Sequence, residues 1–226
     1  RDFDTDEPME RGEVAEEVHP IFTLAGGAKA GICWHAILEE IPFTAGPSEV
    51  AKLTRRMLKV HGLANEDEEK FNKDVETVSD MIQLTLGRKM LAPDNRWFSL
   101  ADIDPNARFS EWEFHFPSRA ALPWTTSIKE VLEKHWAGDP KKQPFIQAMA
   151  NWNRPIPEGF IKGYLDLVFR HDGYYYVVDW KSNQLRRDVS NFGEAGIVAE
   201  MADAGYFFQY MLYAVVLHRY LKETLK

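Results

Sequence analysis

Two aspartates and a lysine stand in an apolar stretch of the sequence, where a charged side chain is costly. Asp166 lies between two leucines, Asp179 follows the apolar run 176–178, and Lys181 comes two residues later. A carboxylate at the end of an apolar strand loses hydration free energy unless another charge or a metal ion compensates for it. Paired carboxylate oxygens are ligands that a hard cation such as Mg²⁺ prefers, so the pattern predicts a divalent-cation site.

The spacing of these residues predicts a β-hairpin that brings the two carboxylates together. Two apolar runs, 161–170 and 174–181, flank a His-Asp-Gly turn at 171–173. An Asp-Gly pair between such runs is a strong hairpin signal. Side chains two residues apart on a strand point to the same face, so Lys181 joins Asp179 there.

A carboxylate pair, a cation and a lysine suit the hydrolysis of phosphodiesters. A metal ion lowers the pKa of a bound water and offsets the charge that builds in the transition state. Lys181 would orient or deprotonate the attacking water and help to hold the phosphate. The residues alone leave a structural alternative open, in which Asp166 caps the hairpin, Asp179 pairs with Lys181 and neither carboxylate binds metal.

The rest of the chain predicts the elements that must position these residues. The predicted helices are 30–41, a second helix opened by Ser48, 66–87, 127–136 and 204–225, and the predicted strand before the hairpin is 109–117. The helices follow from apolar residues at helical spacing, and the strand follows from alternation of charged and aromatic residues. His35 therefore stands on a short N-terminal helix, in an α/β domain whose N-terminal part is helical.

Length and composition predict one domain with a polar extension. The 226 residues are 45% hydrophobic, which is enough for one sizeable core. Residues 1–25 are polar, lack apolar periodicity and precede a glycine pair, so we expect a linker or flexible arm there and a single domain at 26–226. Because the sequence opens at Arg1, we expect it to be a piece of a larger protein.

Charge and cysteine content limit the functional classes. The net charge is −8, and a protein that grips DNA by itself normally carries a basic face, so strong autonomous DNA binding is not expected. Cys33 is the only cysteine and cannot make an internal disulfide or an iron–sulfur cluster by itself. We expect a cytoplasmic protein that makes no membrane contact, since the sequence has no signal segment and no long uncharged stretch.

Four segments resemble motifs of the RecB-type nuclease domains, a branch of the PD-(D/E)XK nuclease family. In chain order they are GICWHAILEEIPF, SEWEFHFP, GFIKGYLDLVFRHDGYYYVVDWKSN and FFQYMLYAVVLHRYL. They resemble the family's histidine helix, glutamate strand, catalytic hairpin and closing helix. The blocks stretch from about Gly31 to Leu221 in the family's order and spacing, and their combination is more specific than any one of them.

The resemblance implies a role for each matching residue. It makes Asp166 and Asp179 the metal-binding carboxylates and Lys181 the catalytic lysine. His35 would be a third ligand and the backbone carbonyl of Trp180 a fourth. The residues alone favour a buried core imidazole for His35. Trp180 stands where a tyrosine is frequent, a departure of little consequence because the expected ligand is the carbonyl.

Three further matches complete the expected site. Glu113 matches the family's active-site glutamate, which would support a second metal ion or the water network, although the residues alone also allow a solvent-facing residue beside Glu111. Gln209 and Tyr213 lie four apart on one helical face and match a Gln-x-x-x-Tyr signature. We expect them to contact the DNA backbone or to brace Lys181. The alternative is that Tyr213 belongs to the core with Gln209 at its rim.

The resemblance also implies a fold, a cofactor and partners. The fold would be an α/β restriction-endonuclease-like PD-(D/E)XK fold, with a mixed central β-sheet flanked by helices. The activity would be that of a Mg²⁺-dependent deoxyribonuclease of the exodeoxyribonuclease V type, in which Mn²⁺ substitutes and Ca²⁺ binds without supporting cleavage. The expected partners are DNA, delivered as single strands by a helicase, and RecC-like and RecD-like subunits, in double-strand break repair and recombination.

Other interpretations remain open within and outside this superfamily. An AddB-like exonuclease would need a four-cysteine cluster that Cys33 alone cannot build. A restriction or phage recombination exonuclease should not carry the complete His35 and Gln209 blocks. A non-catalytic DNA-guiding or subunit-docking module would retain the fold, and the intact carboxylate pair with its lysine argues against it.

Overall fold

The structure is a computed structural model of the 226-residue chain. It describes residues 20–24, 26–118, 124–150, 159–183, 185 and 189–225. Most of the expected linker, residues 1–19 and 25, lies outside the described residues.

Three helices form the N-terminal half, as the apolar periodicity predicts. They are α1 (Ala28–Glu40), α2 (Pro47–Val60) and α3 (Glu68–Gly87). Pro47 occupies the first turn of α2, where its missing N–H is not needed, and the Asp67 side chain caps α3 by accepting from the N–H groups of Glu69 and Lys70. The helices share one buried core with residues of the sheet, which includes Ile37, Val50, Phe71, Val78, Ile82, Leu167 and Phe169.

The segment that leads into α1 packs onto this core. Pro20–Thr23 form a 3-10 turn, and the side chains of Phe22 and Leu24 are each only 6% exposed. A free arm would leave these apolar groups in water, at a cost of about 2 kcal/mol each. We therefore propose that the folded domain includes residues 20–24, rather than beginning at residue 26.

The sheet is built on a long central strand. Strands β3 (Arg108–Ser118), β4 (Gly159–His171) and β5 (Tyr174–Val178) pair antiparallel in that order. A separate antiparallel pair of two-residue strands, β1 (Met90–Leu91) and β2 (Trp97–Phe98), precedes them in the chain. The α/β fold class and the hairpin are confirmed. A mixed sheet was expected, whereas the strands of the described residues pair only in antiparallel fashion.

The β4–β5 turn has the geometry that its residues predict. Asp172 and Gly173 have φ angles of 49° and 86°. Two successive positive φ values define the tight hairpin turn whose twist matches the flanking strands, and Asp-Gly is a preferred sequence for it.

Strand β5 is shorter than the apolar pattern predicts. It ends at Val178, so Asp179, Trp180 and Lys181 follow the strand instead of belonging to it. The backbone N–H of Trp180 donates to the Asp166 side chain at 2.6 Å, where a regular strand would donate to the neighbouring backbone. The ladder stops because a side chain has replaced its next acceptor.

Helices cover the C-terminal half. They are α4 (Trp124–Trp136), α5 (Gln143–Ala150), α6 (Glu194–Asp203) and α7 (Tyr206–Thr224). The predicted closing helix is confirmed as α7, which packs Tyr213, Val216 and Leu217 against Leu165 and Val168 of the sheet. In the described part of the chain, a helix with the length and apolar content of a membrane span is not found.

Candidate metal centre

Asp166 occupies the middle of β4, with an acidic residue on each side across the sheet. Ser110 pairs with Leu167 and Trp112 with Leu165, so Glu111 of β3 lies opposite Asp166. The pairing of Leu167 with Val178 places Asp179, one residue beyond β5, opposite Asp166 on the other side. The sheet therefore brings three carboxylates into a row.

Glu111 interrupts the ladder at this point. Its φ is 50°, in the left-handed region, and the structure records no regular pair for it between those of Ser110 and Trp112. This conformation costs a non-glycine residue roughly 1–2 kcal/mol, and strain of this kind concentrates at functional sites. The strain directs attention to Glu111 as a site residue.

Helix α1 carries His35 to the same place. Both terminal nitrogens of Arg108 at the start of β3 donate to the Ile41 carbonyl, at 3.3 and 3.2 Å, which ties that strand to the end of α1. At the other side a Cβ on Gly31 would lie 2.7 Å from Ser182 Oγ, so glycine lets α1 approach the segment after β5. His35 stands one turn further along α1, and its side chain is one-third exposed.

The imidazole of His35 lies between a carboxylate and a carbonyl. Nδ1 is 3.6 Å from Asp166 Oδ2, and Nε2 is 3.1 Å from the backbone oxygen of Trp180. One ligand atom from each of His35, Glu111 and Asp166 can be chosen so that all three lie within 4.8 Å of one another. The Trp180 carbonyl adds a fourth donor beside them.

The electrostatics of this group favour a cation. Burial, reinforced by the nearby Asp179 carboxylate, raises the pKa of Asp166, although the Trp180 N–H, His35 and Lys181 oppose the shift. Burial and the Asp166 charge likewise raise the pKa of Glu111. Ionised carboxylates are disfavoured here without a compensating charge. Carboxylate and carbonyl oxygens with one imidazole are a donor set that fits an oxygen-preferring divalent cation.

The second carboxylate of the hairpin is held by a hydrogen-bonded chain. Gln209 of α7 donates from Nε2 to Asp179 Oδ1 at 3.1 Å and lies 2.6 Å from the Tyr213 hydroxyl. The Lys181 ammonium pairs with the other oxygen of Asp179 and lies 4.6 Å above the Tyr206 ring. Gln209 and Tyr213 thus meet the hairpin residues, as four-residue spacing on one helix face allows.

Glu113 does not join this group. Its carboxylate accepts hydrogen bonds from Lys162 at 2.8 Å, from His115 at 2.7 Å and from the Tyr164 hydroxyl at 3.1 Å, in an exposed network. The Lys162 and His115 hydrogen bonds lower its pKa to about 2. The register between β3 and β4 determines which glutamate lies near Asp166. Glu113 pairs with Tyr164, whereas Glu111 lies opposite Asp166.

The structure places Glu111, and not Glu113, opposite Asp166, and the active-site role that the resemblance implies for Glu113 stays a prediction. The two side chains are two residues apart on one strand, and alternation gives them the same face. A positive φ and a cross-strand register are tertiary features, so the letters SEWEF hold no signal that separates the two glutamates.

Comparison with known proteins identifies the family of the chain. The family model of the PD-(D/E)XK nuclease superfamily matches residues 16–225. The chain is also similar to curated proteins described as RecBCD enzyme subunit RecB. That of Escherichia coli K12 is 30% identical over 205 residues, 88% of this chain and 15% of the relative.

Two further relatives give the same result. The RecB subunit of Haemophilus influenzae is 26% identical over 228 residues, 99% of this chain and 17% of the relative. That of Mycobacterium tuberculosis H37Rv is 27% identical over 222 residues, 93% of this chain and 20% of the relative. The chain thus spans a fifth or less of the length of these relatives.

Proposed function

Because the chain belongs to the PD-(D/E)XK nuclease superfamily, we propose that it is a divalent-metal-dependent DNA nuclease domain of a RecB-like helicase-nuclease. The observation that carries the proposal is the convergence of His35, Glu111, Asp166 and the Trp180 carbonyl beside the Asp179–Lys181 pair. Donors from four separate elements meet at one end of the hairpin. A structural role for one carboxylate does not account for this convergence.

The metal site comprises both the donor group and the neighbouring carboxylate. His35, Asp166 and the Trp180 carbonyl would hold the cation, and Glu111 would support them from β3. Asp179 completes the set from its position opposite Asp166. When bound, the cation supplies Lewis-acid polarisation of the phosphodiester and of the attacking water.

Lys181 acts on the attacking water and on the phosphate. Its ammonium pairs with Asp179, so it stands at the edge of the carboxylate row where a phosphate would enter. There it orients the attacking water and holds a phosphate oxygen, which contributes to transition-state stabilisation by charge. Gln209 hydrogen-bonds to Asp179 and to the Tyr213 hydroxyl. These contacts hold the Asp179 carboxylate in position beside Lys181 and beside the metal site.

We propose Mg²⁺ as the cation, with Mn²⁺ as a substitute. Magnesium requires near-ideal octahedral geometry and keeps several waters, whereas Ca²⁺ accepts longer and more variable distances. We therefore expect Ca²⁺ to bind to the same residues without supporting cleavage.

The partners that we propose for the parent protein are supported by the net negative charge of the chain and by its similarity to RecB subunits. With a net charge of −8 the domain cannot rely on phosphate contacts for affinity. A helicase motor, together with RecC-like and RecD-like subunits, supplies the strand, and the domain cuts what it receives. We place this activity in the cytoplasm, in exodeoxyribonuclease V-type processing of double-strand breaks for recombination.

Cleavage of end-labelled single-stranded DNA by the 226-residue chain tests the proposal. We expect cutting with Mg²⁺ or Mn²⁺, none with Ca²⁺ or EDTA, and loss of cutting in Asp179→Ala and Lys181→Ala. Lys162→Ala is the matched control, because Lys162 pairs with Glu113 in the exposed network and should leave the rate unchanged. Wild-type chain that cuts with neither Mg²⁺ nor Mn²⁺ would favour the non-catalytic docking module instead.

A further inference from the structure

A groove of about 730 Å³ begins at the Asp179–Lys181 pair and runs between β5, α6 and α7. Along α7 its lining extends from Tyr206 to Leu221, roughly 22 Å at the rise of an α-helix. This volume falls in the range of ligand sites, and the groove adjoins the proposed metal centre. An occupant that fills this end of the groove therefore lies beside Lys181.

The walls of the groove are mainly aromatic and aliphatic, and several of these side chains face solvent. Tyr210 is 60% exposed, Ile197 is 43% exposed and Phe192 is 42% exposed. Exposed apolar side chains scattered singly are common, but contiguous ones that line a concave surface mark a binding site.

Charge restricts the chemistry of the occupant. Among the described residues, the ionisable side chains that line the groove are those of Asp179, Lys181, Glu200 and His218, together with its tyrosines. Two carboxylates stand against one ammonium in this described lining, so it presents no cationic track for a phosphate backbone. It offers ring faces and aliphatic surface, which suit flat apolar groups.

One aromatic side chain beside the metal centre, that of Tyr206, is held by hydrogen bonds. The Tyr206 hydroxyl donates to Asn183 Oδ1 at 3.0 Å, and the Asn183 side chain donates to Glu200 at 2.6 Å. Tyr210 stands one helical turn further along α7, on the side that lines the groove. A ring on a fixed helix provides a stacking platform at low entropic cost.

We propose that this groove binds the unpaired bases of a single DNA strand, with Tyr210 as the principal stacking platform and the scissile phosphate at Lys181. This inference rests on the proposed nuclease function and gives it a substrate contact. Every base has a π-face, so stacking is tolerant of sequence, and it requires bases that are not paired. The acidic domain thus gains affinity for DNA from bases instead of phosphates.

Binding of two oligonucleotides of equal length tests the proposal, one of thymidylate and one abasic throughout. Fluorescence anisotropy in Ca²⁺ measures the Kd of each for the 226-residue chain without cleavage. We expect Tyr210→Ala to raise the Kd for the thymidylate strand about tenfold and to leave the Kd for the abasic strand unchanged. Tyr210→Phe keeps the ring and should keep the wild-type Kd.

Tyr174→Ala is the matched control, because Tyr174 is 37% exposed at the start of β5 and does not line the groove. It should change neither Kd. Equal affinity of the wild type for both strands, or an unchanged Kd in Tyr210→Ala, would overturn the proposal. If the chain cuts DNA while either result is obtained, the nuclease function stands and the groove alone is refuted. If the chain does not cut, the Kd values still decide the role of the groove.

Discussion

His35 and Trp180 are 145 residues apart in the sequence, and their Nε2 and backbone oxygen atoms lie 3.1 Å apart. A helix from the N-terminal half and the segment after β5 thus share one polar contact. The same peptide unit of Trp180 directs its N–H to Asp166 at 2.6 Å. The backbone N–H and C=O of Trp180 therefore both contact residues of the proposed metal centre.

This relationship predicts that the Trp180 side chain is replaceable while His35 is not. We expect Trp180→Tyr to keep Mn²⁺ affinity and DNA cleavage close to wild type, since the backbone groups are unchanged. His35→Ala should weaken Mn²⁺ binding at least about tenfold, because it removes a donor from the site. Calorimetric titration of both variants measures the difference. A large loss in Trp180→Tyr, with the fold intact by circular dichroism, would speak against the carbonyl as a ligand.

The two glutamates of β3 provide a matched pair. Glu111→Gln should reduce cleavage strongly, because the residue lies opposite Asp166 in the donor group. Glu113→Gln should leave cleavage near wild type, because its carboxylate lies in the exposed network with Lys162, His115 and Tyr164. Single-turnover rates with saturating Mg²⁺ compare the two. The opposite ranking would support Glu113 as the active-site glutamate, as the sequence resemblance implies.

The raised pKa of Asp166 predicts that this carboxylate lowers the stability of the metal-free chain at neutral pH. Burial holds this pKa, and that of Glu111, above the ordinary value. The folded chain therefore keeps these protons longer than the unfolded chain does. Its stability is undiminished below the ordinary carboxyl pKa and falls as the pH rises through the raised values. In EDTA at neutral pH, Asp166→Asn should accordingly melt at a higher temperature than wild type.

Two further conditions check this assignment. The difference in Tm between Asp166→Asn and wild type should shrink as the pH is lowered towards the ordinary carboxyl pKa, because the raised pKa lets folded wild type take up the proton. Added Mg²⁺ should raise the Tm of wild type and leave that of the variant unchanged, because a ligand stabilises only the state that binds it. A variant less stable than wild type in EDTA would show that Asp166 is a structural acid.

A variant at Lys181 should distinguish loss of the chemical step from loss of metal binding. We expect Lys181→Ala to lower the single-turnover cleavage rate about 100- to 1000-fold, the range for loss of one group that stabilises transition-state charge. Its Mn²⁺ affinity should stay near wild type, since an ammonium donates no ligand to a metal. Equal losses of affinity and rate would mean that the lysine acts only by holding Asp179.

Periodicity and turn chemistry predict much of this fold. The apolar spacing in α1, α3 and α7 and the Asp-Gly turn before β5 gave correct elements, because each is set by local sequence. Helix α6 was missed, and it has no buried residue to create an apolar stripe. The end of β5 was placed too late, because an Asp166 side chain replaces a backbone acceptor there.

Local sequence predicts the positions of some site residues and not of others. The hairpin positions of Asp166 and Asp179 follow from register, which the turn fixes. His35 and Gln209 were placed by resemblance to a family, because nothing in local sequence joins α1 or α7 to the hairpin. Glu111 was overlooked since its conformation, with φ of 50°, depends on tertiary context.

Whether this group of residues is a divalent-cation centre is tested most directly by calorimetric titration of the metal-free chain with Mn²⁺. We predict saturable binding by wild type and by Glu113→Gln, with affinity lost in Asp166→Ala and weakened in Glu111→Gln. No saturable binding by wild type, or the same affinity in wild type and Asp166→Ala, would contradict the account.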